Sequence, residues 1–128
     1  MKFLSDLLFV GLGGMIGSIM RYLVSGWTHK ILSSSLFPYG TLTVNVTGCL
    51  LIGILGGLSE NKEFLSPQMR LFLFIGVLGG FTTFSTFGYE TAALLRDREF
   101  LQGFLNIGLN LIVCLFAVFS GYAISNMR

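Results

Sequence analysis

Four apolar runs separated by short polar connections take up most of the chain: Leu7 to Val24, Gly40 to Leu58, Leu71 to Leu95 and Leu101 to Ile124. Each is close to the roughly 20 residues that an α-helix needs to cross about 30 Å of hydrocarbon at about 1.5 Å per residue. The pattern predicts four membrane-spanning helices joined by Thr28 to Pro38, by Ser59 to Gln68 with Pro67, and by Arg96-Asp97-Arg98-Glu99. Too little chain is left over for an extramembrane domain, so residues 1–128 are expected to form a single four-span domain. Lys2 ahead of an apolar run has the look of a signal peptide, but the length of the run, Arg21 within it and the lack of a small-residue cleavage site argue for a span.

The third run departs from uniform apolarity. It reads Gly76-Val77-Leu78-Gly79-Gly80-Phe81-Thr82-Thr83-Phe84-Ser85-Thr86-Phe87, a glycine pair followed by hydroxyl residues alternating with phenylalanines. This predicts a helix broken at membrane depth. Main-chain groups freed in hydrocarbon cost several kcal/mol each, so a break survives only where it is buried in protein, binds an ion or lines a watery cavity.

Composition agrees with the pattern. The chain is 53% hydrophobic and 11% charged, with a mean hydropathy of +0.80, which excludes an ordinary soluble domain. Cys49 and Cys114 are isolated within predicted spans, without Cys-x-x-Cys spacing or a nearby histidine set, so neither a disulfide nor a zinc site is indicated. His29, beside Lys30, is expected in a short interfacial loop. No nucleic-acid-binding motif occurs.

With four spans both termini lie on one side of the membrane. That side carries Lys2, Lys62, Arg70 and Arg128, and the other carries Arg21, Lys30, Arg96 and Arg98. Lys and Arg bias sets the orientation of a span, and here the count is equal, so both orientations are expected to insert and an antiparallel two-fold pair becomes available. No internal repeat is evident, and a second, inverted copy of the chain would supply the symmetry that many transport proteins build within one chain. Glycines crowd the first two spans, at Gly11, Gly13, Gly14 and Gly17 and at Gly48, Gly53, Gly56 and Gly57, as close helix packing in lipid requires.

Polar residues at membrane depth fall into stripes. Thr41, Asn45 and Gly48 or Cys49 share one helical face, and Asn106, Asn110 and Cys114 repeat at four-residue spacing on another. Together with Thr82, Thr83, Ser85 and Thr86 they suggest a continuous track of neutral donors, able to replace part of an anion's hydration without holding it as a fixed charge would. Phe84 and Phe87, three apart, would offer positive ring edges to the same ion. Arg21 either snorkels to the interface or concentrates anions at a vestibule. Glu90 is a carboxylate within a span. It is open to proton coupling or to pairing with Arg21, with a partner chain or with main-chain donors.

Three separated motifs carry a resemblance: Gly13-Gly14-Met-Ile-Gly17-Ser-Ile-Met-Arg21-Tyr22, Gly40-Thr41-Leu-Thr-Val-Asn45-Val-Thr-Gly48-Cys49, and Gly79-Gly80-Phe-Thr82-Thr83-Phe84-Ser85-Thr86-Phe87. Together they resemble the Fluc (CrcB) fluoride channels over essentially the whole chain. The resemblance implies an all-α integral membrane protein of four transmembrane helices, broken in the third, that assembles as an antiparallel dual-topology homodimer in lipid. It implies a channel rather than an enzyme, with two pores and passive export of cytoplasmic fluoride across a bacterial inner membrane. It further implies a structural sodium ion held by the main-chain carbonyls of Gly79 and Thr82. Pore-lining roles pass to Phe84, Phe87 and Asn45, with the neighbouring hydroxyl from Ser85 or Thr86. In the fourth span Asn106 and Asn110 stand where the family commonly has tyrosine or asparagine and then serine. Two rivals are a proton-coupled small multidrug exporter using Glu90, and a scaffold in which the polar stripes are interhelical glue.

Overall fold

The computed structural model describes residues 2–32, 36–61 and 65–127, and all regular structure among them is helical. Helix α1 runs Lys2–Ile31 and α2 Tyr39–Asn61. The third span begins with a short α3, Pro67–Arg70, continues as a π-helical stretch, Leu71–Leu78, and a last turn α4, Gly79–Phe81. It resumes as α5, Phe84–Arg96, and α6 spans Phe100–Asn126. Four helical segments are thus long and apolar enough to cross a membrane, as expected of a multi-pass membrane protein. Lys62 and Arg128 of the charge count lie outside the described residues.

The helices overrun the expected boundaries. Thr28, His29 and Lys30 form the last turn of α1 rather than a loop, because no proline interrupts the stretch and the single Gly26 is tolerated inside a helix. At about 1.5 Å per residue α1 is about 45 Å long, so its polar end extends past the hydrocarbon or tilts within it. Pro67 opens the third span instead of sitting in the connection. It occupies the first helical turn, where a missing N–H costs nothing, while the Ser66 hydroxyl accepts from the Met69 N–H at 3.2 Å. The turn between α5 and α6 is closed by a pair of bonds, Glu99 N–H to the Leu94 carbonyl at 2.8 Å and Arg98 N–H to the Leu95 carbonyl at 3.2 Å. That geometry places Arg98 at φ 64°, a left-handed position usually given to glycine.

Close backbone approach sets the packing. A Cβ on Gly13 would overlap the Phe72 carbonyl and lie 2.9 Å from the Gly76 Cα, which seats α1 directly on the third span. Helices α2 and α6 run parallel and in register at a constant offset of 65 residues. Asn45 meets Asn110, a Cβ on Gly53 would overlap the Val118 carbonyl, and one on Gly57 would lie 3.2 Å from the Tyr122 ring. Large apolar side chains dominate the outward surface, and no span has more than 28% of its apolar window buried within one chain. A bundle this open in isolation has its outer faces against lipid or another chain.

Candidate functional site

Between α4 and α5 the chain is extended at Thr82 (φ −83°, ψ 160°) and Thr83 (φ −152°, ψ 116°). The main-chain groups of Thr82 and Thr83 all find partners. Thr82 N–H still bonds to the Leu78 carbonyl at 3.0 Å. The Thr82 carbonyl accepts from the Arg21 guanidinium at 3.3 Å. Asn45 takes both groups of Thr83, its Oδ1 accepting from the N–H at 2.9 Å and its Nδ2 donating to the carbonyl at 3.2 Å. Thr83 then caps α5, its hydroxyl accepting from the Thr86 N–H at 3.2 Å.

From Asn45 a chain of amides crosses the bundle and returns. Asn45 Nδ2 donates to Asn110 Oδ1 at 3.0 Å, and Asn110 Nδ2 donates to the Asn106 side chain at 2.9 Å and to its carbonyl at 3.1 Å. Asn106 Nδ2 donates to Thr91 Oγ1 at 2.9 Å, and the Thr91 hydroxyl donates to the Phe87 carbonyl at 2.8 Å. The loop leaves α5 at Thr83 and rejoins it at Phe87, fixing the first turn of that helix against both α2 and α6. Such a network in a low dielectric holds its members firmly only because each is satisfied.

Two cavities meet at this turn. One, of about 310 Å³, is lined by Asn45, Gly79, Thr82, Phe84, Phe87 and Asn110, with Cys49 and Cys114. The other, of about 520 Å³, is more polar and is lined by Arg21, His29, Thr41, Thr86 and Glu90. Thr83 lines both. The expected track is therefore divided: Thr41 faces one cavity while Asn45 and Cys49 face the other. Ser85 and Asn106 line neither. Asn106 is wholly buried, at 0% exposure, behind Asn110.

The two phenylalanines differ. Phe87 is 8% exposed and Phe84 79% exposed, with ring centroids 5.3 Å apart and planes inclined at 55°. Arg21 and Glu90 do not pair. The Glu90 carboxylate accepts from the Thr41 hydroxyl at 2.9 Å, and its Oε2 is buried without a hydrogen-bond partner. The Asn45 and Asn110 amides, expected as free donors, are committed to Thr83 and to one another. Cys49 and Cys114, apart in sequence, share the rung between Asn45–Asn110 and Gly53–Val118 and line the same cavity. The sequence reading passes over Thr91, the partners of Thr83, and the shared rung of Cys49 and Cys114. The signal for the last was present, since Asn-x-x-x-Cys occurs at 45–49 and again at 110–114.

Comparison with known proteins decides the family. The family described as CrcB-like protein, Camphor Resistance (CrcB), matches residues 8–122. The chain belongs to this family. A relative from Shewanella loihica, a fluoride-specific ion channel FluC, is 45% identical over 118 residues, covering 92% of this chain and 94% of its own. A second so named, from Geotalea daltonii, is 43% identical over 120 residues, covering 94% and 96%. The same name is borne by a relative from Shewanella woodyi, 43% identical over 118 residues. These relatives are channels, not enzymes, and none carries the name of an exporter or a scaffold.

Proposed function

We propose that the chain is a fluoride-selective channel through which cytoplasmic fluoride leaves passively down its electrochemical gradient. The observation that carries the choice of ion is the 43–45% identity to fluoride-specific channels over 92–94% of the chain. In this reading residues 1–128 form one four-span domain, and two copies insert in opposite orientations in a bacterial inner membrane to give a homodimer with two pores. The equal Lys and Arg count favours dual insertion. The low buried share of each span, and a 79% exposed Phe84 beside a polar turn, favour a second copy covering that face.

The ion enters the polar cavity, where Arg21 raises the local anion concentration. Thr86 accepts from the Thr83 hydroxyl at 2.9 Å and keeps its own proton to donate, so it offers the first neutral donor. Past Thr83 the ion meets the edges of Phe84 and Phe87 and the Asn45–Asn110 contact. Because both Asn45 N–H bonds are already made, the ion advances by exchanging for Asn110 Oδ1 as acceptor. Ser85 tunes the Thr83 hydroxyl, 3.3 Å away. Asn106 acts through Asn110, and Thr41 through Glu90.

A structural sodium ion suits the main-chain carbonyl of Gly79. The amide that would bond to it, Thr83 N–H, goes to Asn45 instead. The Thr82 carbonyl is a second donor only if the Arg21 guanidinium moves off it, since two cations would otherwise contest one oxygen. The ion would supply a shared positive charge joining carbonyls of two chains.

The test is fluoride efflux from liposomes holding the purified protein, followed with a fluoride electrode. Efflux with chloride retained is expected. Liposomes that release no fluoride, or release chloride equally, would sink the reading. Replacing sodium by a bulky organic cation is expected to depress the flux, and an unchanged rate would remove the sodium site.

A further inference from the structure

We infer that Cys49 and Cys114 form a two-thiolate site for a soft, divalent d10 metal ion that prefers linear two-fold coordination, with Hg2+ as its representative. Three observations lead there. The register of α2 and α6 places the two cysteines on one rung, one turn beyond the Asn45–Asn110 hydrogen bond and one turn short of the Gly53–Val118 backbone contact. Fixed on both sides, this rung cannot slide, and both of its side chains open onto one cavity. Both are free and half-buried, and both line the 310 Å³ cavity that also holds Phe84 and Phe87, so an ion and its escaping protons have a route.

The number of donors selects the ion. Among the described residues no group of three or more His, Cys, Asp or Glu side chains could hold a metal. Zinc, which takes four ligands in structural sites and at least three protein ligands in catalytic ones, is poorly served by two. Thiolates favour soft ions, and Hg2+ is satisfied by two sulfurs in line. Charge selects further. On binding, both S–H bonds break, two Hg–S bonds form and two protons leave to water, so no oxidant or reductant is needed. The product is a neutral bis-thiolate, suited to a low-dielectric interior, whereas Ag+ or Cu+ on the same two thiolates would leave a net negative charge there. A neutral plug at this rung closes the cavity beside the two phenylalanines. That closure rests on the channel reading above; the binding of the ion does not.

The test uses the full-length chain in detergent, titrated with Hg2+ while free thiols, released protons and ultraviolet thiolate-to-metal absorption are followed. One equivalent is expected to consume both thiols and release two protons, with zinc failing to compete. Challenged with excess small monothiol, the wild type should keep its ion. Cys49→Ser and Cys114→Ser should each surrender it, losing more affinity than the roughly 10–100-fold typical when only an outer-sphere partner is removed. Consumption of two equivalents, one per thiol, or a single-cysteine variant as retentive as the wild type, would overturn the site. In liposomes the same ion should stop fluoride efflux in the wild type, and added monothiol should restore efflux in the single variants alone. Efflux that continues with the titrated site filled would overturn the plug. No efflux from metal-free liposomes would instead overturn the channel reading, leaving the thiol titration to decide the site.

Discussion

The side-chain amide of Asn45 pairs with both main-chain polar groups of Thr83, accepting from its N–H at 2.9 Å and donating to its carbonyl at 3.2 Å. One side chain on α2 therefore replaces the two helical bonds that an extended residue in the third span gives up. Asparagine suits this task because its amide carries a donor and an acceptor in the same plane as a peptide group. Aspartate would lack the donor, and leucine both.

Removing that clamp is expected to be expensive. Asn45→Ala leaves a buried N–H and a buried carbonyl without partners, at about 1–3 kcal/mol for each. A lowered thermal midpoint in detergent, with loss of fluoride flux, is the expected result. A variant melting with the wild type would show that the turn does not depend on Asn45.

The two phenylalanines should separate stability from conduction. Phe87 is packed inside the bundle, so Phe87→Ala opens a cavity and costs about 3 kcal/mol or more. Phe84 is 79% exposed on the single chain, and Phe84→Ala should lower the melting temperature in detergent less than Phe87→Ala does. Both should slow efflux at least about tenfold, or about 1.4 kcal/mol on the barrier. Normal flux in both variants would remove these rings from the pathway.

The glycines of α2 are not equivalent. A side chain at Gly53 meets the Val118 backbone, so Gly53→Val should prevent α2 and α6 from docking and yield aggregated protein. Nothing lies within 4 Å of a Cβ at Gly56, and Gly56→Ala should be neutral or stabilise by up to about 1 kcal/mol through helix propensity. Size-exclusion profiles and melting curves of the pair check the contrast.

Arg98 sits at φ 64° in the turn between α5 and α6. Left-handed backbone costs a non-glycine residue about 1–2 kcal/mol. Arg98→Gly is expected to raise stability by about 1 kcal/mol, read as a higher melting temperature, and an unchanged or lower value would contradict the assignment of strain there.

Much of the architecture could be read from the residues. The four spans follow from run length and hydropathy alone, since hydrocarbon thickness fixes the length of an apolar helix. Their ends did not, because polar residues such as Thr28, His29 and Lys30 mark the membrane boundary without stopping a helix. The polar positions within the spans were found, but their partners were not. Helical periodicity gives the face a residue occupies and says nothing about which other helix that face meets. For this reason Thr41 was grouped with Asn45, although it bonds to Glu90 across the bundle, and Arg21 was offered to Glu90, although it reaches the Thr82 carbonyl. The two cysteines, 65 residues apart, looked unrelated for the same reason.

The fixed 65-residue correspondence between α2 and α6 also constrains how such a chain can diverge. One added or deleted residue between Asn45 and Gly57 would turn every later position by about 100° and set all remaining rungs facing the wrong neighbours. Length changes are consequently confined to the connections and helix tips, and drift along this seam must proceed by exchange of side chains alone.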